Sequence, residues 1–491
     1  MRQLCYSSLL LGCALAISAC DASGDGSMSE VGAADAVTAA GFATPEAAAL
    51  AERGARQTEV RNLDEMFVAL NGRMRGFGGF HFEDDGQTVV MMMKPRPGNG
   101  NNRPDKVKRD LLREMGRLTG AAHLIPAVTG AAPRMGEGAY DFVELQVWRQ
   151  RLLDVGLAPF VTQLDNDEFR NRLSLGVDPG TPVADALALL DRAGVPHEAV
   201  IVEEIPEPIL AAAPSTIRSS YASNSTTVSS GRIGGILIQT SLSSGTYNEC
   251  TIGFNVVDGG TGERGFLTAS HCTQSSGVGG LNYTRFWQPT YQSSGLGYIA
   301  TEDEDPAPYL TSTTDSQCPS GYKCRASDAA FIKYQNQTAS ANTLGAVART
   351  TGYSNGSAVF TVNQSNPEFV VTSETPFPAG GQIVSKVGAR SGWTRAGVGT
   401  GTCAQGRSQG TYITCRYSAT TRTFESNVAV DEGDSGAPVF ITGSTLSNGR
   451  TAISAAGIVY AVDPSRTGFY FNPLGAVQYD LGDYQTCSTC N

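Results

Sequence analysis

Hydrophobic and polar residues alternate over short stretches throughout the second half of the chain. From residue 232 onward, runs rich in Val, Ile, Tyr, Thr and Phe are broken by Gly, Ser and Asn, and almost no segment repeats its apolar positions with a helical period. Such alternation is typical of antiparallel strands joined by turns, as in β-barrels and β-sandwiches. We therefore predict that residues 232–491 form a mainly β domain.

The preceding segment, residues 61–214, mixes strand and helix periodicities. Apolar residues spaced along one helical face alternate with strand-like runs and turn signals. The predicted elements are a hairpin at residues 77–93, helices at 106–118 and 181–193, and strands at 171–177 and 198–204. The second helix is expected to be capped by Thr181, with Pro182 at its first position. The segment is thus predicted to be an α/β domain.

Two stretches of low complexity flank that α/β domain. Residues 21–60 are rich in Ala, Gly, Ser and Asp, which predicts a tether that passes into a weak helix. Residues 215–231 are rich in Ser, Thr and Asn and have little apolar content, so this linker is predicted to be mobile and a natural place for cleavage.

The first twenty residues have the pattern of an export signal. Met1-Arg2 precedes an apolar run from Leu9 to Ala19 that is too short to span a bilayer. The run ends in Ile17-Ser18-Ala19-Cys20, which resembles the lipobox of bacterial lipoproteins and implies lipid modification of Cys20. Ordinary cleavage after Ala16 is the alternative. We expect an exported protein, held at the bacterial cell envelope by a lipid or secreted after processing.

The net charge of −11 argues against one class of partner. A nucleic-acid-binding chain needs a basic patch, and no basic stretch is present, so no nucleic-acid partner is expected. The acidic run Glu302 to Asp305 could offer oxygen ligands to Ca²⁺, but a solvated loop is the simpler interpretation. No metal or cofactor is expected.

Candidate chemistry is concentrated in Gly433-Asp434-Ser435-Gly436-Ala437-Pro438. Glycines allow consecutive backbone N–H groups to converge, so the amides of Gly433 and Ser435 could hold a developing oxyanion while the Ser435 hydroxyl attacks. A serine hydroxyl needs a neighbouring base to react. Of the four histidines, only His271 lies in the second half of the chain.

Both motifs resemble those of a known family. Residues 265–272, Gly-Phe-Leu-Thr-Ala-Ser-His-Cys, and residues 433–438 resemble the histidine and nucleophile motifs of chymotrypsin-fold serine peptidases. The segment beginning at Cys250 resembles the bacterial alpha-lytic protease and streptogrisin branch. The resemblance implies a trypsin-like double β-barrel, and it implies that residues 61–214 are a pro-region. An unrelated α/β domain fused to the peptidase is the alternative.

The resemblance also implies a third catalytic residue between His271 and Ser435. Asp328 fits best, because it enters a predicted buried strand; Asp303, Asp305 and Asp315 are alternatives. The expected mechanism uses Ser435 as nucleophile, His271 as base and Asp328 as the residue that orients the imidazole.

Eight cysteines follow residue 249, and three belong to the leader. An even set confined to one exported domain is typical of disulfides rather than of a metal site. The spacing predicts four local pairs, which are Cys250–Cys272, Cys318–Cys324, Cys403–Cys415 and Cys487–Cys490.

The resemblance places the substrate pocket at Ala429, Val430 and Tyr460. Because Ala429 stands where trypsin-like enzymes carry an aspartate, we do not expect specificity for Arg or Lys, and small or medium apolar side chains are the expected substrates.

Asp434 would need a cation if it is buried beside the nucleophile. The resemblance offers two partners: an internal Arg390, or the amine of Ile233 freed by a cut after Arg232. We favour Arg390, because a long pro-region is more than a simple activation cap requires.

Two functions are compatible with these residues. One is a secreted or envelope-tethered serine endopeptidase that is made as a precursor, with peptides, proteins and its own pro-region as partners. The other is a trypsin-like binding lipoprotein that has lost activity. The complete set of Ser435, His271 and Asp328 favours the enzyme.

Overall fold

Strands make up most of the secondary structure, as the alternating pattern predicts. A computed structural model describes residues 42–95, 103–210, 213–215, 232–243, 246–274, 284–288, 297–310, 317–337, 344–352, 362–399, 403–408, 411–420, 430–464, 467–487 and 490. The predicted export signal with Cys20, the first half of the predicted tether and residues 216–231 lie outside these described residues. Among the helices of the described residues, none combines the length and apolar character needed to cross a membrane.

The N-terminal region, residues 42–215, alternates helices with short strands. Its helices are α1 (Pro45–Arg56), α2 (Leu63–Arg73), α3 (Pro104–Met115), α4 (Ile125–Gly130), α5 (Phe142–Asp154) and α6 (Val183–Ala193). Its strands are β1 (Phe77–Phe82), β2 (Thr88–Met93), β3 (Ala132–Glu137), β4 (Val161–Asp167), β5 (Arg172–Val177), β6 (Val200–Glu204), β7 (Ile209–Leu210) and β8 (Ala213–Ser215).

The C-terminal region, residues 232–490, consists mainly of strands. The strands of its first half are β9 (Leu237–Ser243), β10 (Thr246–Thr251), β11 (Asn255–Asp258), β12 (Arg264–Thr268), β13 (Arg285–Trp287), β14 (Tyr298–Glu304), β15 (Tyr309–Leu310), β16 (Lys323–Arg325), β17 (Ala330–Tyr334) and β18 (Ala346–Ala348). The elements of its second half are β19 (Glu368–Glu374), β20 (Ile383–Gly388), β21 (Gly392–Val398), β22 (Ala404–Ser408), β23 (Thr411–Thr420), β24 (Pro438–Thr445), β25 (Thr451–Val462), β26 (Gly468–Pro473), α7 (Leu474–Leu481) and β27 (Tyr484–Gln485).

The elements predicted in the N-terminal region are present, with shifted ends. β1 and β2 form the predicted antiparallel hairpin. α6 begins later than predicted, because Pro182 has extended backbone angles and lies at the N-cap. Thr181, predicted as the cap, instead donates its hydroxyl to the carbonyl oxygen of Asp178 at 2.6 Å. The weak helix expected at the end of the tether is α1, which Thr44 caps through the backbone N–H of Ala47.

Three sheets organise the chain. The first contains β1, β2 and β3. The second has the order β27-β11-β12-β17-β14-β13-β9-β10-β8, and the third has the order β18-β19-β25-β24-β20-β21-β23-β22-β4-β5-β6. Side chains of the second and third sheets share one buried cluster, to which β12, β17, β24 and β25 contribute Phe266, Phe331, Phe440 and Ile458. The core of the C-terminal region therefore lies between two β layers.

Strand addition joins the N-terminal region to the C-terminal region. β4 pairs antiparallel with β22, β7 with β25, and β8 with β10. Pairing of this kind satisfies backbone groups that an exposed sheet edge would leave to water. The N-terminal region therefore supplies the strands next to three edges of the C-terminal region.

Two arginines of the C-terminal region complete this interface. Arg407 on β22 contacts Asp178 and Glu207 of the N-terminal region, each at 2.8 Å. Arg416 on β23 is fully buried, and its Nη2 donates to the carbonyl oxygen of Thr162 at 3.1 Å. Both guanidinium groups thus take acceptors from the other region.

A buried carboxyl group lies close to the same interface. Glu168 is 1% exposed, and neither of its carboxyl oxygens has a hydrogen-bond partner among the described residues. Burial raises the pKa of Glu168 well above its ordinary value, and the negative charges of Asp165 and Asp64 add to the effect. Burial and the same three carboxyl groups also raise the pKa of Tyr417 on β23. Burial and the neighbouring negative charges thus favour the protonated form of Glu168 over the carboxylate.

We expect the variant Glu168→Gln to lose less stability than the wild type as the pH rises. The unfolded chain releases the Glu168 proton above its ordinary pKa of 4.5, whereas the folded chain keeps it because its pKa is raised. The unfolded state then binds fewer protons than the folded state, so the free energy of unfolding of the wild type falls with increasing pH. Denaturant unfolding at several pH values between about 5 and about 8 measures this slope.

Glu203→Gln is the matched control. A hydrogen bond from Arg170 lowers the pKa of Glu203, so this carboxylate contributes stability above its ordinary pKa, and its removal should destabilise the neutral-pH protein. Equal pH slopes for the wild type and Glu168→Gln would contradict a protonated, buried Glu168.

Candidate active site

His271 lies in a 3₁₀ turn, Ser270–Cys272, that follows strand β12. The Cys250–Cys272 disulfide ties this turn to strand β10. The Nδ1 atom of His271 is 2.7 Å from Asp328 Oδ2, and its Nε2 atom is 2.6 Å from Ser435 Oγ. The imidazole therefore bridges a carboxylate and a hydroxyl that lie far apart in the sequence.

Asp328 stands just before strand β17 and is 7% exposed. Its Oδ1 accepts the backbone N–H of His271 at 3.1 Å, and its own N–H donates to Asn472 Oδ1 at 3.0 Å. Burial opposes ionisation of this carboxyl group, but the charges and hydrogen bonds of His271, together with the charge of Arg325, outweigh burial and lower the pKa of Asp328 below 3.8. Asp328 is therefore a carboxylate at neutral pH.

Ser435 lies in a loop that glycines allow to turn sharply. Gly433 and Gly436 have φ angles of 106° and 86°, and a Cβ at Gly436 would lie 2.2 Å from Thr268 Oγ1. The N–H of Gly436 donates to the carbonyl oxygen of Val459. The N–H groups of Gly433 and Ser435, in contrast, donate to no acceptor among the described residues. Two unengaged amides next to a serine hydroxyl are what an oxyanion site needs.

Two of the alternative aspartates, Asp303 and Asp305, lie among the described residues. Asp305 accepts a hydrogen bond from Ser270 Oγ at 2.7 Å, one residue before His271. Asp303 is half-buried, and burial raises its pKa. Asp315 lies outside the described residues. Of the aspartates considered from the sequence, Asp328 is the one that the structure brings to His271.

The cation beside Asp434 is Lys386 rather than Arg390. Both Lys386 and Asp434 have fully buried side chains, and Lys386 Nζ lies 3.0 Å from Asp434 Oδ2. Burial lowers the pKa of Lys386, although the charge of Asp434 and its hydrogen bond act in the opposite direction. Ser391 donates its hydroxyl and its N–H to the same carboxylate. Asp434 is therefore compensated by a strand residue that sequence reasoning missed.

The prediction that the Arg390 side chain pairs with Asp434 is wrong. The backbone N–H of Arg390 donates to Asp434 at 2.9 Å, while its guanidinium group is paired with the buried carboxylate of Glu249. Strand β20 carries Lys386 across the nucleophile loop, whereas Arg390 follows the end of that strand and faces β10. Ile233, the alternative partner, is 1% exposed and packs in the core cluster of the C-terminal region.

The predicted substrate pocket is described only in part. Ala429 lies outside the described residues, and Val430 is 4% exposed. Tyr460, also expected in the pocket, has its side chain fully buried in the core, with its ring 6.4 Å from that of Tyr470. What Tyr460 offers to Ser435 is its carbonyl oxygen, 3.5 Å from the hydroxyl.

The cysteines are paired as their spacing predicts. Disulfides join Cys250–Cys272, Cys318–Cys324, Cys403–Cys415 and Cys487–Cys490. The described residues contain no cluster of three or more His, Cys, Asp or Glu side chains arranged to hold a metal ion.

Asn472 is another site residue that sequence reasoning missed. Its amide accepts the N–H of Asp328, and its Nδ2 donates to the carbonyl oxygen of Cys415 at 3.3 Å. Asn472 is fully buried in β26, within a run of apolar residues. The available signal was a polar residue within the apolar run Gly468–Pro473, because a buried polar group requires a hydrogen-bond partner.

A serine hydroxyl that is hydrogen-bonded to an imidazole, whose other nitrogen is held by a carboxylate, can act as a nucleophile.

No protein-family model matches the chain, and no curated protein matches it. Among solved structures, the Nocardiopsis protease (NAPase) is 17% identical, with 52% of this chain and 98% of that chain covered at a TM-score of 0.33.

Two further solved structures show similarity at the same level. A glutamic-acid-specific serine protease is 19% identical over 50% of this chain and 96% of its own, at a TM-score of 0.31. Cellulomonas bogoriensis chymotrypsin is 20% identical over 50% of this chain and 93% of its own, at a TM-score of 0.29. These structures are chymotrypsin-fold serine proteases, and the similarities are weak and cover about half of this chain.

We expect Lys386→Met to lower the free energy of unfolding by about 3–5 kcal/mol, because it leaves the Asp434 carboxylate buried without its cation. Denaturant unfolding measures this loss. Arg450→Met is the control, since Arg450 and Glu368 form an ion pair in which the arginine is 47% exposed, and removal of such a pair should cost at most about 1 kcal/mol. If the two variants are equally stable, Lys386 is not the residue that compensates Asp434.

Proposed function

We propose that this chain is a serine endopeptidase in which Ser435 is the nucleophile, His271 the general base and acid, and Asp328 the residue that orients the imidazole. The observation that carries the proposal is the unbroken line of hydrogen bonds, 2.7 Å from Asp328 to His271 and 2.6 Å from His271 to Ser435. It connects side chains from three separate loops, each at the end of a strand.

The proposed reaction begins when Ser435 Oγ attacks the scissile carbonyl carbon and its proton moves to His271 Nε2. The Asp328 carboxylate, ionised because its pKa is lowered, stabilises the imidazolium that forms. His271 then gives the proton to the leaving amine, and an acyl-enzyme remains on Ser435. Water, deprotonated by the same nitrogen, attacks the acyl group and releases the new carboxyl terminus.

The oxyanion that forms in each step requires hydrogen-bond donors. We assign this role to the N–H groups of Gly433 and Ser435, which have no acceptor among the described residues. Loss of one such donor typically costs about 100- to 1000-fold in kcat. The Lys386–Asp434 pair supports this role, because it fixes the residue between the two amides.

The edge of strand β25 is the proposed binding site for the substrate backbone. It places the Tyr460 carbonyl oxygen 3.5 Å from Ser435 Oγ, and the next residue, Ala461, pairs with Leu210 of the N-terminal region. An extended peptide can occupy this edge by the same antiparallel pairing. The N-terminal region therefore serves, in our proposal, as a pro-region that covers the substrate strand of a precursor.

The proposed pocket accepts small or medium apolar side chains. Val430, which the resemblance places in the pocket, is apolar and buried. The four disulfides fit an exported protein, since such bonds persist in oxidising compartments. We also propose export with lipid modification of Cys20, a residue outside the described part of the chain.

A fluorophosphonate probe, which reacts with an activated serine, tests the proposed function. We expect the processed wild-type protein to be labelled, and we expect Ser435→Ala and His271→Ala to remain folded but unlabelled, since each removes a member of the proposed triad. Ser454→Ala is the matched control, because Ser454 lies on β25 and is hydrogen-bonded to Thr375 rather than to His271. A folded, processed wild-type protein that stays unlabelled would support an inactive binding protein instead.

We also expect the first cut in the precursor to fall between Leu210 and Ala213. Leu210 pairs with Ala461, the residue after Tyr460, whose carbonyl oxygen lies 3.5 Å from Ser435 Oγ. Ala213 pairs with Glu249 in strand β10, where the Thr251 N–H donates to the Ser435 carbonyl oxygen at 2.8 Å. Leu210 and Ala213 are three residues apart, so the peptide bonds between them join the strand that pairs with β25 to the strand that pairs with β10.

Intact mass and N-terminal sequencing of the processed protein identify this cut, and Ser435→Ala should remain full length. A mature chain that begins at Ile233, or within residues 216–231, and never carries an earlier cut would contradict the assignment. Cleavage of Ser435→Ala at the same position would show that another protease makes the cut.

A further inference from the structure

A buried ion pair lies directly behind the turn that carries His271. Arg325, at the end of strand β16, and Asp305, which follows strand β14, are 4% and 6% exposed. The Nη1 atom of Arg325 lies 2.9 Å from Asp305 Oδ1. Neither side chain contacts the imidazole or Ser435, so the proposed reaction does not use them directly.

The pair holds the His271 turn on both sides of the histidine. Ser270 Oγ donates to Asp305 Oδ1 at 2.7 Å and accepts from Arg325 Nη1 at 2.7 Å. Thr273 Oγ1 lies 3.1 Å from Asp305 Oδ2. Ser270, before the histidine, therefore contacts both charged groups, and Thr273, after it, contacts Asp305.

The same arginine reaches the segment that carries Asp328. Its Nη2 donates to the carbonyl oxygen of Ala329, the residue after Asp328, at 2.8 Å. A second carboxylate, Asp480 of α7, accepts the N–H groups of Ala326 and Ser327 at 3.2 and 2.7 Å and lies 3.9 Å from Arg325 Nε. Arg325 therefore connects the loop of Asp328 to the loop of His271 through one rigid, planar group.

Burial makes this geometry restrictive. A charge in a protein interior must be paired and hydrogen-bonded, and the guanidinium group donates its N–H groups to carboxylate and carbonyl oxygens in its own plane. A shift of either loop would separate Arg325 from one of its acceptors. The relative position of the two loops is therefore set by the charged pair.

We propose that Arg325 and Asp305 are positioning residues that hold the His271 turn and the Asp328 segment at hydrogen-bonding distance from each other. Arg325 acts on Asp328 through space as well, because a nearby cation favours the carboxylate. The structural part of the proposal stands on the contacts above, and its catalytic consequence rests on the proposed function.

Arg325→Met, Asp305→Asn and the control Lys333→Met provide the test, each in the full chain. Asp305→Asn keeps the size and hydrogen-bonding oxygen of the aspartate, so it should fold even if Arg325→Met does not. Lys333 carries the same charge on the neighbouring strand β17, where it pairs with Glu263 and is 35% exposed. The first measurement is the proton NMR signal of the His271 Nδ1–H, identified by its absence in His271→Ala, which reports the bond to Asp328 without any turnover.

The second measurement is the pH dependence of fluorophosphonate labelling. We expect Arg325→Met to weaken or broaden the Nδ1–H signal, and to slow labelling about 10- to 100-fold, because the catalytic groups lose their alignment. The acid limb of the pH profile is the range in which the labelling rate rises with pH. Arg325→Met, which removes a cation, should move this limb to higher pH, and Asp305→Asn, which removes a carboxylate, should move it to lower pH. Lys333→Met should change neither measurement.

Opposite shifts of the acid limb in the two variants indicate that Arg325 and Asp305 act through their positions and charges. A general loss of stability would instead slow labelling in both variants without moving the limb. The proposal is overturned if folded Arg325→Met and Asp305→Asn keep the wild-type Nδ1–H signal and pH profile. The two proposals can also fail separately. If the wild-type protein shows the Nδ1–H signal, Arg325→Met lacks it, and the wild-type protein never reacts with the probe, then this inference stands and the proposed function is contradicted.

Discussion

Compensation of buried carboxylates is the constraint on which the candidate active site depends. Asp434 beside the nucleophile, Asp328 beside the imidazole and Asp305 behind the histidine turn are all buried, and each would be costly without a nearby positive or donor group. Lys386 compensates the first and Arg325 the third, while the second has His271. Because each partner comes from a different strand or loop, satisfying the charges also fixes how those strands and loops meet.

The residues of the candidate triad could be predicted because their signals are local. His271 lies in a distinctive eight-residue motif and is the one histidine of the second half of the chain, and Ser435 lies between glycines that only a tight loop requires. Asp328 has a weaker sequence signal, because Asp305 is an alternative and the apolar run that follows Asp328 is the feature that favours it. Only the geometry distinguishes the two aspartates: Asp328 lies 2.7 Å from the imidazole of His271, whereas Asp305 accepts a hydrogen bond from Ser270.

The cation beside Asp434 could not be predicted, because it depends on strand registry rather than on a motif. Lys386 and Arg390 are four residues apart, and both could approach the nucleophile loop from the sequence alone. Registry of β20 with β24 sets Lys386 opposite Val439, which brings its side chain to the carboxylate, while Arg390 lies beyond the strand and turns toward Glu249. Tyr460 illustrates the same limit: its position next to the site was predictable, but the burial of its side chain was not.

The N-terminal region is attached to the C-terminal region by pairing of their strand edges. Unpaired strand edges attract other strands, and β22, β25 and β10 of the C-terminal region are each paired by a strand from the N-terminal region. One of those edges, β25, lies beside Ser435, so the interaction that completes the sheet also occupies the proposed substrate strand.

Two kinds of buried carboxyl group then respond to pH in opposite ways. Glu168, close to the interface, has a raised pKa, so its burial costs more stability as the pH rises; Asp328 has a lowered pKa and loses its charge only as the pH falls below its ordinary range. Raising the pH above the ordinary pKa of Glu168 is therefore expected to lower the free energy of unfolding of the chain, while the Asp328 carboxylate stays ionised. The pH dependence of stability and the ionisation of the candidate active site are thus governed by two separate carboxyl groups, Glu168 and Asp328.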